Sequence, residues 1–423
     1  MLNGGGGLNA DGLALDLQFA LDKTLTARKG PTPTFTRASS GTFVGSNGLI
    51  QSAAVNAARF DHTAAGVCRG LLIEESRTNL LQRSEELGNA YWATTRSTIT
   101  TDAATSPDGA TTAEKLIADT TAASNHRVDR ATITLALNTV HTVSIFAKAA
   151  EYTGLALGVG LSATEGVRYS LVGAGTATPI AAGNTGTIQQ LPNGWYRCTC
   201  TFTSDATTAT HRVAIYVGQN GTTTSYTGDG TSGIFIWGAQ LEAGSFATSY
   251  IPTTTASVVR SADVCSITGA NFTSFYNQSE GSLFTSATFY APVAYGTGQL
   301  LVDINDTTTA NRLRYFRNAT TGLAGFANTS NSSANVVITS VSAVQPLVTN
   351  KYSAGFKLDD YAFYLNNAQI GTDNLGAMVV SPTTLTIGDA SAGGVRQYTN
   401  GTISAIRYYR KRLPNAKLQA LTA

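Results

Sequence analysis

Two kinds of residue in this sequence could act on a ligand, namely aromatic side chains and carboxylates next to turns. The chain contains 17 Tyr and 3 Trp. An exposed aromatic ring stacks on the apolar face of a sugar, while nearby amides and hydroxyls bond the sugar hydroxyls. From their surroundings we select as candidate glycan-binding residues Trp92, Tyr216, Tyr226 and Tyr290.

The other two tryptophans fit a structural role better. Trp195 follows a turn at the start of a strand in GWYRC, and Trp237 lies within the apolar run GIFIWGAQLEA. Large aromatic residues in such positions usually fill the core. We therefore expect both indoles to be buried.

Carboxylates in two loops have the oxygen ligands that calcium prefers. Asp229 lies in TGDGTSG, and Asp303 and Asp306 lie in VDIND. Neither segment matches an EF-hand, and aspartates are also common turn formers. Asp303 and Asp306 could instead form a glycosidase pair, if folding brings them about 5–9 Å apart across a cleft. The three aspartates are therefore candidate metal ligands, with calcium as the only cofactor considered.

Motifs for nucleophilic, metal or phosphate chemistry are missing from the sequence. The histidines, at positions 62, 126, 141 and 211, stand in no such motif. The chain has no G-x-S-x-G, no H-E-x-x-H and no P-loop. We therefore expect a protein that is not an enzyme.

The composition predicts an all-β protein. Charged residues make up 13% of the chain, against about 25% in an average soluble domain. Thr, Val, Tyr and Phe suit pleated, half-buried surfaces, and Gly and Asn suit turns. The net charge of +2 is too small to indicate nucleic acid or an anionic membrane as a partner.

Targeting segments are also not evident. No stretch approaches the roughly 20 apolar residues of a membrane span, and the start MLNGGGGLNADG lacks the regions of a signal peptide. We expect no membrane insertion and synthesis in a cytosol.

The cysteines, at positions 68, 198, 200 and 265, form no C-x-x-C pair. Cys198 and Cys200 are two residues apart in a strand-like segment, so both side chains point to one face. They are either small buried hydrophobic residues or partners in an intersubunit bridge.

The strand patterns predict three regions. Residues 1–83 form a β-rich region that includes the alternating LALDLQFA and a hairpin of GTFV and LIQSAAV across GSNG. Residues 84–260 and 261–423 each contain many short strands without intervening helices, the pattern of a β-sandwich or jelly roll. LLI at 71–73 fits either a strand or a short helix, and a closing helix is expected near Pro414.

Long motifs within the first 253 residues resemble a family of tailed-bacteriophage and prophage structural proteins, usually tail- or fibre-associated. They are PTPTFTRASSGTFVGSNGLIQSAAVNAARFDH, CRGLLIEESRTNLLQRSEE and WGAQLEAGSFATSYIPT. The middle region resembles a carbohydrate-binding-module jelly roll in which GWYR and IFIWGAQLE are framework. The last region, with YAFYLNNAQIG, TLTIGD and NGTISAIRYYRKRL, resembles a laminin-G or concanavalin A-like sandwich.

This resemblance implies a virion protein made in the host cytoplasm, with no catalytic residues. It would attach to other virion proteins through residues 1–83, form a homotrimer and bind host surface polysaccharide with its lectin-like modules. The start NGGGGLNADG would be a flexible or partner-bound arm. Two alternatives stay open: a capsid decoration or head-fibre protein with purely architectural contacts, and a polysaccharide hydrolase.

Overall fold

The computed structural model describes residues 12–160, 165–220, 223–293, 296–390 and 397–423. Within these ranges the protein is all-β, as the composition predicts, and its large sheets form two β-sandwiches. The Gly-rich start, predicted to be an arm, lies outside the described residues except for Gly12. None of the helices in the described ranges has the length and hydropathy needed to cross a membrane.

The N-terminal region consists of short strands and one helical turn. They are β1 (Leu13–Leu17), α1 (Phe19–Asp22), β2 (Thr34–Thr36), β3 (Gly41–Val44), β4 (Ile50–Ala53), β5 (Phe60–His62), β6 (Cys68–Ile73) and β7 (Arg77–Asn79). The predicted hairpin is confirmed, since β3 pairs with β4. The segment LLI lies in strand β6, which settles the choice between strand and helix.

The middle region is built almost entirely from strands. They are β8 (Ala93–Thr95), β9 (Ser97–Ala104), β10 (Ala113–Ala118), β11 (Ser124–Thr134), β12 (Val140–Ala149), β13 (Gly154–Gly160), β14 (Gly166–Ser170), β15 (Thr176–Pro179), β16 (Thr185–Gln190), β17 (Trp195–Thr203), β18 (Thr210–Gly218), β19 (Ser225–Tyr226), β20 (Gly233–Ala243) and β21 (Val258–Arg260). A short 3-10 turn, Pro192–Gly194, precedes β17.

The C-terminal region adds two helices to a further set of strands. They are β22 (Val264–Thr268), α2 (Gly269–Phe275), β23 (Glu280–Phe289), β24 (Gln299–Asn305), β25 (Arg312–Arg317), β26 (Leu323–Ser330), β27 (Ser333–Ala343), β28 (Thr349–Lys357), β29 (Asp360–Leu365), β30 (Ala368–Asp373), β31 (Thr384–Ile387), β32 (Asp389–Ala390), β33 (Gln397–Tyr398), β34 (Gly401–Tyr409) and α3 (Asn415–Leu421). Helix α3 confirms the predicted closing helix. Helix α2, which buries Phe272 and Phe275, was not predicted.

The middle sandwich has two antiparallel sheets. A six-stranded sheet has the order β16-β17-β12-β20-β10-β9. The facing seven-stranded sheet has the order β15-β14-β13-β18-β11-β19, with β8 also paired to β11. Alternate residues of both sheets fill the space between them, among them Val143, Leu157 and Ile215, as is typical of aligned sheet packing.

The C-terminal sandwich uses strands from both ends of the chain. Its eight-stranded sheet has the order β30-β29-β28-β23-β34-β6-β5, with β1 also paired to β34. The facing seven-stranded sheet has the order β2-β22-β31-β24-β25-β26-β27. Four N-terminal strands thus belong to this sandwich.

Residues 1–83 therefore do not form the separate region that the strand patterns predict. Leu71 pairs with Ile403 across the β6–β34 ladder, and Leu15 lies in the same core as both. Alternating strands bury only one face, and that face needs a partner sheet. The N-terminal strands β1, β2 and β6 find their partners more than 200 residues along the chain, which periodicity does not reveal.

The polar segment after β20 (residues 244–253, here the ribbon) folds back over the outer face of the middle six-stranded sheet. The Gln240 side-chain oxygen accepts the backbone N–H of Ile251 at 2.6 Å. A carboxylate oxygen of Glu242 accepts the backbone N–H of Thr248 at 3.0 Å. Strand β20 confirms the predicted strand, while the ribbon is a fixed cover rather than a free linker.

The ribbon encloses a small aromatic cluster. The Trp237 ring lies 4.7 Å from that of Tyr250 and 5.4 Å from that of Phe146, measured between centroids. Trp195 joins this cluster, and its indole N–H donates to the backbone oxygen of Thr105 at 3.1 Å. Both tryptophans are buried, as predicted.

Buried ion pairs connect the N-terminal strands, the ribbon and the segment between the sandwiches. Arg59 donates to Asp263 at 2.5 Å and to Glu74 at 2.8 Å. Arg37 lies 3.2 Å from Asp263, and Arg260 lies 3.6 Å from Glu74. Each of these side chains is almost fully buried, so each charge depends on its partners.

The motifs that carry the family resemblance converge on this buried cluster. Arg37 lies in TRASS, Arg59 in AARF and Glu74 in LLIEES, which are parts of those motifs, while Arg260 and Asp263 lie in the later segment VRSADV. The ribbon joins through Ser249, whose backbone N–H and hydroxyl donate to the Glu74 carboxylate at 2.8 and 2.7 Å. These motifs therefore hold the sandwiches together.

The cysteines are free thiols. Cys198, Cys200 and Cys265 are buried and Cys68 is partly exposed. Burial raises the pKa of Cys200 to about 12, which keeps it unreactive. The hydrophobic interpretation of Cys198 and Cys200 is confirmed, because both lie in the core of the middle sandwich.

Candidate functional site

The predicted aromatic residues do not form one surface. Trp92 and Tyr226 are buried, with 4% and 7% of their surface exposed, so the expectation of exposed rings is wrong for both. Tyr216 lies on the outer face of the middle seven-stranded sheet but is 4% exposed, so the expectation of an exposed ring is wrong for it as well. Tyr290 is partly exposed, and its hydroxyl donates to Asp61 at 2.8 Å.

Contacts within the fold explain the burial of the first two rings. The indole N–H of Trp92 donates to the backbone oxygen of Arg83 at 3.1 Å. The Tyr226 ring lies 4.8 Å from that of His126 and 5.4 Å from that of Tyr152. Both rings stabilise the middle sandwich and leave no free face for a ligand.

The predicted metal ligands are likewise not brought together. Asp229 caps a turn, accepting the backbone N–H groups of Thr231 and Ser232 at 2.9 and 2.7 Å. Asp306 does the same for Thr308 at 2.9 Å. In the ranges described, no three His, Cys, Asp or Glu side chains are grouped so as to hold a metal ion. The residues present therefore do not fit a calcium site.

Asp303 is different, because it lies in a polar cluster on the outer face of the C-terminal seven-stranded sheet. In strand β25, RLRYFR, the side chains of Leu313 and Tyr315 point into the core. The alternate residues Arg312, Arg314 and Phe316 therefore face outward. We call the outer surface formed by Asp303, Asn305, Arg312, Arg314, Phe316, Gly325 and Thr386 the Phe316 face.

The strand registers place these side chains side by side. Asp303 pairs with Arg314 on one side and with Thr386 on the other. Its carboxylate forms a 2.5 Å ion pair with Arg312, the diagonal neighbour. Asn305 pairs with Arg312 in the next row, which makes a continuous polar floor.

Several buried polar atoms of this floor have no hydrogen-bond partner among the described residues. They are Oδ1 of Asp303 and the Nε atoms of Arg312 and Arg314. A buried polar atom without a partner is costly, and a bound water or ligand usually satisfies it. The Phe316 face therefore contains donors and an acceptor that are buried and unpaired within the described fold, which a bound water or a ligand group reaching beneath the surface would satisfy.

Burial and crowding perturb the charges on this face. Burial raises the pKa of Asp303, and the guanidinium of Arg312 offsets only part of that rise. Burial and repulsion from Arg312 lower the pKa of Arg314 to about 10. Groups with strongly perturbed pKa values in a concave or enclosed setting are candidates for function.

Phe316 supplies an aromatic platform beside these groups. Its partly exposed ring lies over Gly325 on the neighbouring strand, with which it pairs. A Cβ atom at Gly325 would come within 2.3 Å of that ring, so glycine is needed for the ring to lie flat. The Arg314 guanidinium lies 5.5 Å from the ring centroid.

The Phe316 face combines what sugar recognition requires, an aromatic surface next to hydrogen-bonding groups of both kinds. Among these residues only Asp303 is predicted from the sequence, as a metal ligand, whereas Phe316, Arg312 and Arg314 are not. The available signal was the alternation in RLRYFR, which places charge and an aromatic ring on one face of a strand.

Comparisons with known proteins give partial similarities in structure. No family model matches this chain, and no curated protein matches it. The CBM40 domain of the Ruminococcus gnavus IT-sialidase, solved with α2,3-sialyllactose bound, is 18% identical, with a TM-score of 0.31, over 35% of this chain and 84% of that domain. NanB sialidase from Streptococcus pneumoniae is 13% identical, with a TM-score of 0.32, over 37% of this chain and 26% of the sialidase.

A third solved structure has similar statistics. Domain 4 of AbnA, a GH43 extracellular arabinanase from Geobacillus stearothermophilus, was solved in complex with arabinotriose. It is 8% identical, with a TM-score of 0.32, over 42% of this chain and 82% of that domain. Each of the three similarities covers less than half of this chain.

Proposed function

We propose that this protein is a non-enzymatic structural component of a tailed-bacteriophage virion, associated with the tail, that binds host surface glycans. The proposal of glycan binding is supported by the Phe316 face. There a flat aromatic ring adjoins the unpartnered polar atoms of Asp303, Arg312 and Arg314. The virion part is supported by the long motifs within the first 253 residues, which resemble phage structural proteins.

Binding without catalysis is supported by the state of the carboxylates. Asp303 is held in a 2.5 Å ion pair with Arg312. Asp306 accepts hydrogen bonds within its own turn, from Thr308 and from Asn311 at 2.8 Å. Paired glycosidase carboxylates need one acid and one base facing a shared substrate, and these two carboxylates are occupied in other contacts.

Attachment and assembly follow from the virion role. The proposed homotrimer would use cyclic symmetry, the usual arrangement of a fibre, and would raise the apparent affinity of a weak glycan site. Attachment to other virion proteins would use exposed residues of the N-terminal region, whose strands β1, β2, β5 and β6 are part of the C-terminal sandwich.

Binding of the full-length protein to host cells tests the adhesion part. Intact cells are compared with cells stripped of surface polysaccharide, using wild type, Phe316→Ala and, as a control on the same sheet, Val341→Ala, whose side chain is 99% exposed. Wild type should bind only intact cells. Loss of the aromatic platform should weaken binding about tenfold, since aromatic stacking contributes about 1 kcal/mol per ring and avidity multiplies it.

Equal binding to both kinds of cell, or equal binding by wild type and Phe316→Ala, would contradict glycan recognition at this face. Binding to neither would favour the architectural alternative, a capsid decoration or head-fibre protein. Antibody labelling of purified virions then shows whether the protein is located on the tail or on the head. Label on the capsid would contradict the assignment to the tail. Release of reducing ends from host polysaccharide would instead reveal a hydrolase.

A further inference from the structure

A second outward-facing surface lies on the middle sandwich, on its seven-stranded sheet. One cross-strand row there runs through Arg168, Ala156, Tyr216 and Arg127, each paired with the next. The next row contains Asp129, which pairs with Ala214. Val167 and Ile215, which alternate with these residues, point into the core, so the row faces outward. We call this surface the Arg168 face.

The floor of this face is made of small side chains. Ala156, Gly158 and Ala214 occupy adjacent positions on β13 and β18. The Tyr216 ring lies over Gly158, where a Cβ atom would come within 2.7 Å of it. These small side chains are themselves covered, since Ala156 and Ala214 are buried beneath Tyr216 and Ile180. The partly exposed arginines around them therefore form the accessible surface of this face.

The side chains around that floor include more guanidinium groups than carboxylates. Arg127 lies 2.9 Å from Asp129, and Arg212 lies 3.5 Å from the other oxygen of the same carboxylate. No carboxylate of the described residues lies within ion-pair distance of Arg168. Three guanidinium groups and one carboxylate leave two positive charges uncompensated on this face.

Two of these guanidinium groups also retain hydrogen-bonding capacity. The Nε atoms of Arg168 and Arg212 are buried and have no hydrogen-bond partner in the described part of the chain. Arg127 is held in place by Asp129 and lies 5.9 Å from the centroid of the Tyr216 ring. Arg168 is partly exposed and, among the described residues, has no carboxylate within ion-pair distance, so it is the guanidinium most available to a ligand.

Charge complementarity identifies the occupant. We propose that the Arg168 face binds a saccharide that carries a carboxylate group, with the Arg168 guanidinium as the principal carboxylate ligand. A guanidinium offers paired N–H donors that match the two oxygens of a carboxylate. The face is about three strand spacings wide, roughly 14 Å, and carries two excess positive charges. This low charge density matches a saccharide with few carboxylates better than nucleic acid, which carries a phosphate at every nucleotide.

This site is separate from the Phe316 face, so it adds a ligand class to the proposed glycan binding. Its test uses the full-length protein in calorimetric titrations with an oligosaccharide that carries a single uronic acid, and with the same oligosaccharide after reduction of that carboxyl group. A single-stranded DNA oligonucleotide serves as a competitor. The variants are Arg168→Gln, Phe316→Ala and Lys357→Gln, a control that removes one exposed charge from the other sandwich.

Wild type should bind the carboxylated probe, with affinity that falls as salt rises, and should bind the reduced probe at least about tenfold more weakly, since hydrogen bonds to charged groups are the stronger ones. Arg168→Gln should lose a similar factor for the carboxylated probe only. Lys357→Gln and Phe316→Ala should retain wild-type affinity for it. Circular dichroism and thermal melting establish that Arg168→Gln is folded.

Equal affinity for the two probes, no binding by wild type, unchanged binding by Arg168→Gln, or displacement by the DNA at equimolar concentration would each overturn the proposal. If Phe316→Ala bound the carboxylated probe more weakly and Arg168→Gln bound it normally, carboxylate recognition would lie on the C-terminal sandwich. Failure here and failure of the glycan-adhesin proposal are distinguishable, because the latter is measured with Phe316→Ala on host cells.

Discussion

At the scale of single residues, burial decides what each polar group does. Asp229 and Asp303 have the same side chain, but the first caps an exposed turn and the second is buried against Arg312. Glu114 is a third case, a carboxyl that is 3% exposed and has one oxygen without a hydrogen-bond partner in the described structure. Such a group favours its neutral form.

Burial raises the pKa of Glu114 to about 7, although backbone N–H groups of Gly88 and Leu87 lower it in part. The folded pKa lies above the unfolded value, so Glu114 should cost stability progressively as pH rises from about 4.5 to about 7. We expect Glu114→Gln to be more stable than wild type by about 1–3 kcal/mol at pH 8 and equally stable at pH 4. Urea unfolding at both pH values measures this difference.

The exposed residue Glu165 provides the matched control for Glu114. Glu165→Gln should leave the pH dependence of unfolding unchanged. A Glu114→Gln variant with the same pH dependence as wild type would show that folding does not shift the pKa of this carboxyl.

At the scale of elements, close contact between neighbouring strands sets the shape of the candidate sites. Gly325 and Gly158 each lie beneath an aromatic ring of the adjacent strand, Phe316 and Tyr216 respectively. Both glycines lie within strands, where glycine packs poorly and is usually unfavourable. Their position here is explained by the ring that occupies the space of the missing side chain.

Substitution at Gly325 tests this explanation. A Cβ atom would lie 2.3 Å from the Phe316 ring, so Gly325→Ala should displace the ring at a cost of about 1–3 kcal/mol, typical of overpacking. It should also weaken glycan binding as much as Phe316→Ala does. Thermal melting and the cell-binding assay measure the two effects.

Gly183 is a poor control for this substitution. An added Cβ atom there would meet nothing within 4 Å, but the positive φ of 87° would strain the backbone of an alanine. Val341→Ala, an exposed change on the same sheet as Gly325, is a better control and should retain binding. Normal binding by Gly325→Ala would mean that the ring does not have to lie flat.

At the scale of the whole molecule, the buried ion pairs around Glu74 fix the N-terminal strands to the ribbon. Burial alone would raise the pKa of Glu74, but the guanidinium groups of Arg260 and Arg59 and hydrogen bonds from Ser249 lower it to about 2. Since the folded pKa lies below the unfolded value, this stabilisation is present above about pH 4.5 and is lost as pH falls toward 2.

Glu74→Gln should therefore destabilise the protein by about 3–5 kcal/mol at pH 7, because it leaves buried guanidinium groups without a counter-charge. The difference from wild type should shrink as pH falls from about 4.5 toward 2. Urea unfolding at pH 7 and pH 3 measures both values. Glu86→Gln, which breaks only the exposed ion pair with Arg83, should change stability by less than about 1 kcal/mol.

A constant difference between wild type and Glu74→Gln at the two pH values would argue against charge as the source of the stabilisation. A small difference at pH 7 would mean that the sandwiches are held together mainly by apolar contacts such as the aromatic cluster beneath the ribbon.

Composition and local pattern were enough to predict several features of this protein. They predicted the all-β class, the hairpin of β3 and β4, strand β20, the closing helix, and the burial of Trp195 and Trp237. Each of these depends on short-range properties: the period of apolar residues, the turn residues between strands, and the size of a side chain.

Only the tertiary structure decided which strands share a sheet and which side chains share a surface. Strand β6 pairs with β34, and the burial of Trp92 and Tyr226 depends on distant neighbours. Alternation shows that residues lie on opposite faces of a strand, but it does not say which face another sheet will cover. Arg312, Arg314 and Phe316 could be recognised as one site with Asp303 only once β24, β25 and β26 had been placed side by side.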